Sequence, residues 1–135
     1  MRRYPVLSVV LAAILVASVA VAAKTTLTAN ISSLQASGIS GVAEFSMIGN
    51  GQVRVHESLS GLEPGVEYSS SVYTGSTTCG AGGSVAEIGT FTANAAGKAN
   101  INTVAPVQIT PLSTNASVSV VRVTDSALLA CGEIQ

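Results

Sequence analysis

From residue 26 to the C-terminus, apolar and polar positions alternate in short runs broken by Gly, Pro, Asn and Ser. A period of two marks strands that bury one face, and no helical period is sustained in this stretch. Thr26–Leu34 places Leu27, Ala29 and Ile31 on one face. Gly38 and Gly41 bracket a turn, and Val42–Ile48 follows with Ala43, Phe45 and Met47 aligned. Asn50-Gly51, two residues that tolerate positive φ, predicts a hairpin into Gln52–Ser60, where Val53, Val55 and Leu59 face inward. Glu63-Pro64-Gly65 makes the next turn, before a strand over Val66–Tyr73. Beyond a Gly- and Thr-rich loop, Thr74–Ser84, the segments Ala86–Thr92 and Lys98–Thr103 predict a hairpin across Asn94–Gly97. Ala105–Ser113, with Pro106 and Pro111, reads as a connection, and Ser117–Val123 and Leu129–Ile134 as the last strands. Eight short strands in about 110 residues predict an all-β, eight-stranded Greek-key barrel or sandwich.

The first 23 residues follow another pattern. Met1-Arg2-Arg3 is a short positive segment, Val6–Ala23 is apolar apart from Ser8 and Ser18, and Ala20-Val21-Ala22 forms an A-x-A site. This is the signature of a secretory signal peptide over residues 1–23, leaving one domain over 24–135. The run is also near the minimum length of a membrane span, so an uncleaved anchor is the rival reading. No Cys follows the apolar run, which argues against a lipid-anchored lipoprotein. The expected location is extracellular or periplasmic, with no stable span once the signal is removed.

Export changes how the two cysteines, Cys79 and Cys131, are read. In an oxidising compartment they are expected to form a disulfide, closing a loop of about 52 residues. Two free thiols used in metal or redox chemistry are the alternative, but no CxxC and no nearby His supports it. Beyond the signal, four basic residues stand against seven acidic ones, a net charge near −3. Nucleic acid is therefore not an expected partner, and no basic cluster fits an anionic lipid surface. Phe45, Tyr68, Tyr73 and Phe91 are the only aromatics of the domain, so the core must be built from Val, Ile, Leu and Ala.

Several segments, in a shared order, resemble copper/zinc superoxide dismutases. Leu129-Ala130-Cys131-Gly132-Glu133-Ile134 is similar to that family's Leu-Ala-Cys-Gly-x-Ile ending. Glu87-Ile88-Gly89-Thr90-Phe91-Thr92-Ala93-Asn94, continuing to Gly97-Lys98-Ala99, resembles its Asp-Leu-Gly-Asn-Val-Thr-Ala stretch and the hairpin after it. Val53-Arg54-Val55 through Leu59-Ser60-Gly61-Leu62, then Pro64-Gly65, resembles the family strand and the Gly-Leu turn before the copper ligands. Cys79 falls where the family's first disulfide cysteine lies. The resemblance spans roughly Gly41 to Ile134 and implies a Greek-key barrel of that type.

It also implies where metal ligands would stand, and they are missing. The copper-binding His-x-His pair of the family falls on Ser69-Ser70-Ser71-Val72, with Ser70 and Val72 at the ligand positions. Hydroxyl and alkyl groups do not replace imidazole on copper. Glu87 takes the place of the zinc-binding aspartate, but Ser84 stands where a His is expected. A later copper His is matched by Arg122, a permanent cation. The family's active-site arginine is matched by Leu128, and the long loop before it is reduced to Thr124-Asp125-Ser126. The resemblance therefore implies a member with no catalytic residues and no cofactor.

Other chemistry has little support. The single histidine, His56, alternates with the inward residues and is expected on the surface, beside Glu57 or Glu44. Ser69-Ser70-Ser71 reads as an edge or half-buried strand, since a serine nucleophile needs a base within reach. Gly80-Ala81-Gly82-Gly83 lacks the Lys and helix of a phosphate loop. Asn30-Ile31-Ser32 and Asn115-Ala116-Ser117 match the glycosylation sequon, which matters if the source is eukaryotic. The leading expectation is a non-catalytic structural or binding module with an unidentified protein or glycan partner. Loops near Ser76 and Pro106 are the first place to look for its binding surface. A metal-dependent superoxide dismutase or other oxidoreductase with an atypical site, and an unrelated secreted β-sandwich adhesin or matrix protein, are the alternatives.

Overall fold

The computed structural model describes residues 26–81, 84–105, 112 and 115–135. The expected signal segment 1–23, Lys24 and the Pro106–Pro111 connection lie outside the described residues. The described residues form eight strands: β1 (Thr26–Ser33), β2 (Ser40–Met47), β3 (Val53–Ser60), β4 (Glu67–Thr74), β5 (Ser84–Thr92), β6 (Ala99–Ala105), β7 (Ala116–Arg122) and β8 (Ala127–Glu133). All ladders are antiparallel, in the order β5-β4-β7-β8-β1-β2-β3-β6. Each lies within a few residues of a strand expected from the sequence; β2 and β3 show the alternation that burying a single face demands, whereas β7 and β8 are largely buried on both faces.

β1 joins the two halves of this sheet. Thr26 to Ile31 pair with β2, while Ser32 and Ser33 turn to pair with Cys131 and Ala130 of β8. The sheet thereby wraps into a nearly closed barrel, with β5 and β6 as its ends. The turn between them is tight, with Gly97 N donating to Asn94 O at 3.0 Å and Asn94 N to Lys98 O at 3.0 Å. Yet β5 pairs with β4 and β6 with β3, so the hairpin ladder expected from Asn94–Gly97 is corrected. The two strands lie side by side at the seam, where a Cβ built on Gly89 would stand 3.9 Å from Ile101 Cγ2.

The core fills the barrel from both halves, with Ala29, Ala43, Phe45, Val53 and Val55 on one side and Tyr68, Val72, Val118, Val120 and Ala130 on the other. Tyr68 and Phe91, opposite each other in register, stack with centroids 6.0 Å apart. Met47 keeps the face of Ala43 and Phe45 but is 42 % exposed, because it ends β2 at the rim of the barrel. One sequence assignment is corrected. Gly41 lies inside β2 and does not bound a turn; a Cβ there would run into the carbonyl of Ser58 on β3. The strand therefore requires Gly at this position. Gly41→Ala is expected to lower stability by about 2 kcal/mol through overpacking, read as a lower urea midpoint with an unchanged m-value.

Among the described residues, no helix is long and apolar enough to cross a membrane.

Candidate functional site

The positions matched to metal ligands do not meet. Ser70 and Val72 of β4 are both fully buried, pointing into the barrel between the sheet halves. Strand register explains why: Ser70 is level with Val120, and Val72 with Val118, on the inner face. Ser69 and Ser71 take the outer face, where Ser71 is level with Glu87 on one side and Ser119 on the other. β4 lies between β5 and β7, so of the two placements expected for the serine run the half-buried one holds and the edge one is corrected. Glu87 is exposed and accepts a hydrogen bond from Thr90 Oγ1 at 2.9 Å. Ser84 begins β5.

Arg122 lies at the far end of the same half of the barrel, level with Tyr68 and Ala127. Its guanidinium grips Asp125 with two hydrogen bonds, Nε to Oδ1 at 3.0 Å and Nη2 to Oδ2 at 2.6 Å. That contact holds the Asp125 carboxyl down to about 2 and raises Arg122 above its usual value. Asp125 Oδ1 also accepts from Ala127 N at 3.2 Å, so the arginine fixes the β7–β8 turn. Leu128 pairs with Val121 on β7. Among the described residues, no three His, Cys, Asp or Glu side chains come together as a metal site.

Cys79 and Cys131 form the expected disulfide, with Cα atoms 5.8 Å apart. Cys131 shares the outer face with Ser119, whose Oγ accepts from Gly80 N at 3.1 Å. The bridge and this hydrogen bond pin the β4–β5 loop across the outer face of β7 and β8.

The sequence reading missed the most unusual side chain. Glu57 of β3 has no exposed surface. It alternates with Val55 and Leu59, so it must point inward, and the expected pairing with His56 on the surface is corrected. Its Oε1 accepts from Ser70 Oγ at 3.0 Å, across the barrel, while Oε2 has no hydrogen-bond partner among the described residues. Burial pushes the carboxyl up to about 7, against a smaller opposing effect of the Ser70 hydrogen bond. His56 is exposed and level with Glu44 across the β2–β3 ladder.

A second feature is a cleft of about 400 Å³ at the barrel end that carries Arg122. It is lined by the β1–β2 loop at Gln35, Ser37 and Ile39, the β3–β4 loop at Gly61–Glu63, and by Tyr68, Arg122 and Leu129. Ser37 Oγ donates to Leu129 O at 2.6 Å, and the Tyr68 hydroxyl accepts from Glu63 N at 3.0 Å. Gln35 and Ala36 hold left-handed backbone angles, φ 52° and 55°, which non-glycine residues rarely adopt. β4 runs from this end toward the Ser76 loop, so the cleft is at the opposite end from that loop favoured by the sequence; the Pro106 loop lies outside the described residues. Asn30 and Asn115, the sequon residues, are both exposed, but Ser117 of the second sequon is fully buried in β7.

No protein-family model matches the chain, and no curated protein matches it.

Proposed function

We propose that the chain is an exported, non-catalytic relative of copper/zinc superoxide dismutases, working as a binding or structural module. Its connectivity supports a Greek key: around the barrel β6, β5, β4 and β7 are neighbours, three in sequence and the fourth returning beside the first. The bridged cysteines fit an oxidising compartment. The observation that carries the non-catalytic reading is the dispersal of the matched positions. Two face the barrel interior, one is exposed on β5, and one is locked to Asp125 at the barrel end. Redox catalysis on copper needs several imidazole or thiolate donors around one point. The one imidazole, His56, is on the outside of β3, and both thiols are joined to each other.

The test is metal content. The exported chain is exposed to copper and zinc, dialysed, and assayed for metal per protein. Retention far below one metal per chain is expected. Stoichiometric copper held through dialysis would overturn the reading in favour of an oxidoreductase, with superoxide turnover as the next assay.

A further inference from the structure

We propose that the cleft at the Arg122 end binds a neutral polyhydroxylated ring, such as one hexose unit of a glycan; this rests on the binding-module reading and names its ligand. The volume, about 400 Å³, lies within the usual range of small-molecule sites, roughly 300–1,000 Å³. Its polar groups remain available for hydrogen bonding. Arg122 uses Nε and one Nη2 hydrogen on Asp125, which leaves three guanidinium N–H donors. The Tyr68 oxygen accepts from Glu63 N, so its own O–H remains a donor. Glu63 is exposed and its carboxylate accepts no hydrogen bond among the described residues, while Gln35 spends only its amide nitrogen, on Leu128 O.

The charges select the ligand class. One cation stands against Asp125 and Glu63, so the cleft has no net attraction for an anion, and the donors of Arg122 and Tyr68 call for acceptor groups that a bare ammonium lacks. Fixed donors beside a free carboxylate suit vicinal hydroxyls, which accept from the first and donate to the second. Ile39, Leu62 and Leu129 form the floor of the cleft, each buried and at most 9 % exposed, so the ring would be held mainly by its hydroxyls. The geometry is set before any ligand arrives. Arg122 is held by two bonds and Ser37 by Leu129 O, and Gln35 is carried on a loop in a strained conformation. Preorganisation of this kind lowers the entropic cost of binding.

The experiment is an NMR amide titration of the exported chain, dialysed against chelator, with D-glucose, D-mannose, D-galactose and N-acetyl-D-glucosamine. D-glucuronate serves as the anionic control and D-glucosamine as the cationic one. We expect saturable shifts with at least one neutral sugar, confined to Gln35, Ser37, Gly61–Glu63, Arg122 and Leu129. Glu63→Gln, at an exposed position that leaves the fold intact, should weaken that binding at least tenfold. Shifts elsewhere, shifts with the charged sugars alone, no saturable shift, or an unchanged affinity in Glu63→Gln would each overturn the proposal. The chelated sample keeps this result separate from the metal assay: copper retention would sink the non-catalytic reading without touching the titration, and a silent titration would leave the metal result standing.

Discussion

Removing the Cys79–Cys131 bridge by the double change Cys79→Ala/Cys131→Ala is expected to lower the unfolding free energy by about 4 kcal/mol. Cross-linking residues 52 apart removes chain entropy from the unfolded state, and a loop of that length is worth about 4 kcal/mol on this argument. The folded state also loses support, because the bridge ties the β4–β5 loop to β8 beside the Gly80–Ser119 hydrogen bond. A small domain with total stability of roughly 5–15 kcal/mol feels such a loss strongly. Alanine is the right replacement: Cys131 is buried, and a serine there would add an unpaired hydroxyl. Urea unfolding at matched pH is the measurement. A loss below about 1 kcal/mol would mean that the unfolded chain is already constrained, and that the entropic account fails here.

The second large effect is a dependence of stability on pH, centred on Glu57. Its folded value of about 7 lies above the ordinary glutamate value of 4.5, so the folded chain keeps a proton that the unfolded chain releases. The Glu57 contribution to stability is therefore fully present below about pH 4.5, falls as pH rises through the folded value, and levels off above it. A difference of this size corresponds to roughly 3 kcal/mol between pH 4.5 and pH 8. The inner face offers no cation to offset the charge: among the described residues the other buried polar groups are Ser70, Ser117 and Ser119. Glu57→Gln keeps an acceptor for Ser70 Oγ and removes the ionisation. Its stability curve is expected to be flat across this window, so the variant gains on the wild type by roughly 3 kcal/mol on going from pH 4.5 to 8. A wild-type curve with no decline between these pH values would show that water reaches Glu57 Oε2 and that the barrel interior is wetter than its packing implies.

How much of this was legible in the sequence depends on distance along the chain. The eight strands follow from alternation and from turns such as Asn50-Gly51 and Pro64-Gly65, which are local signals. Glu57 was legible by the same rule, since Val53, Val55 and Leu59 share its face. The general preference of carboxylates for water pointed the other way, and here the strand period prevailed. The serine run was legible as a half-buried strand, but only its register with Val120 shows which member, Ser70, turns inward. The cleft left no local trace. Gln35, Glu63 and Arg122 come from three segments far apart in sequence and meet only because β1, β3 and β7 end at the same end of the barrel. Likewise, Asn94–Gly97 marks a turn correctly but cannot say that β5 and β6 pair with other neighbours.

The seam between β5 and β6 has a consequence for how this chain tolerates crowding by its own copies. An open sheet ends in two rims of unpaired backbone groups, each able to template the strand of another molecule. Here one tight turn turns the rims toward each other, so neither is presented alone to solvent. A cut within Asn94–Lys98 would release both at once. The eight-stranded sheet would then carry two unshielded edges, β5 and β6, each able to pair with a strand of another molecule and to seed strand exchange.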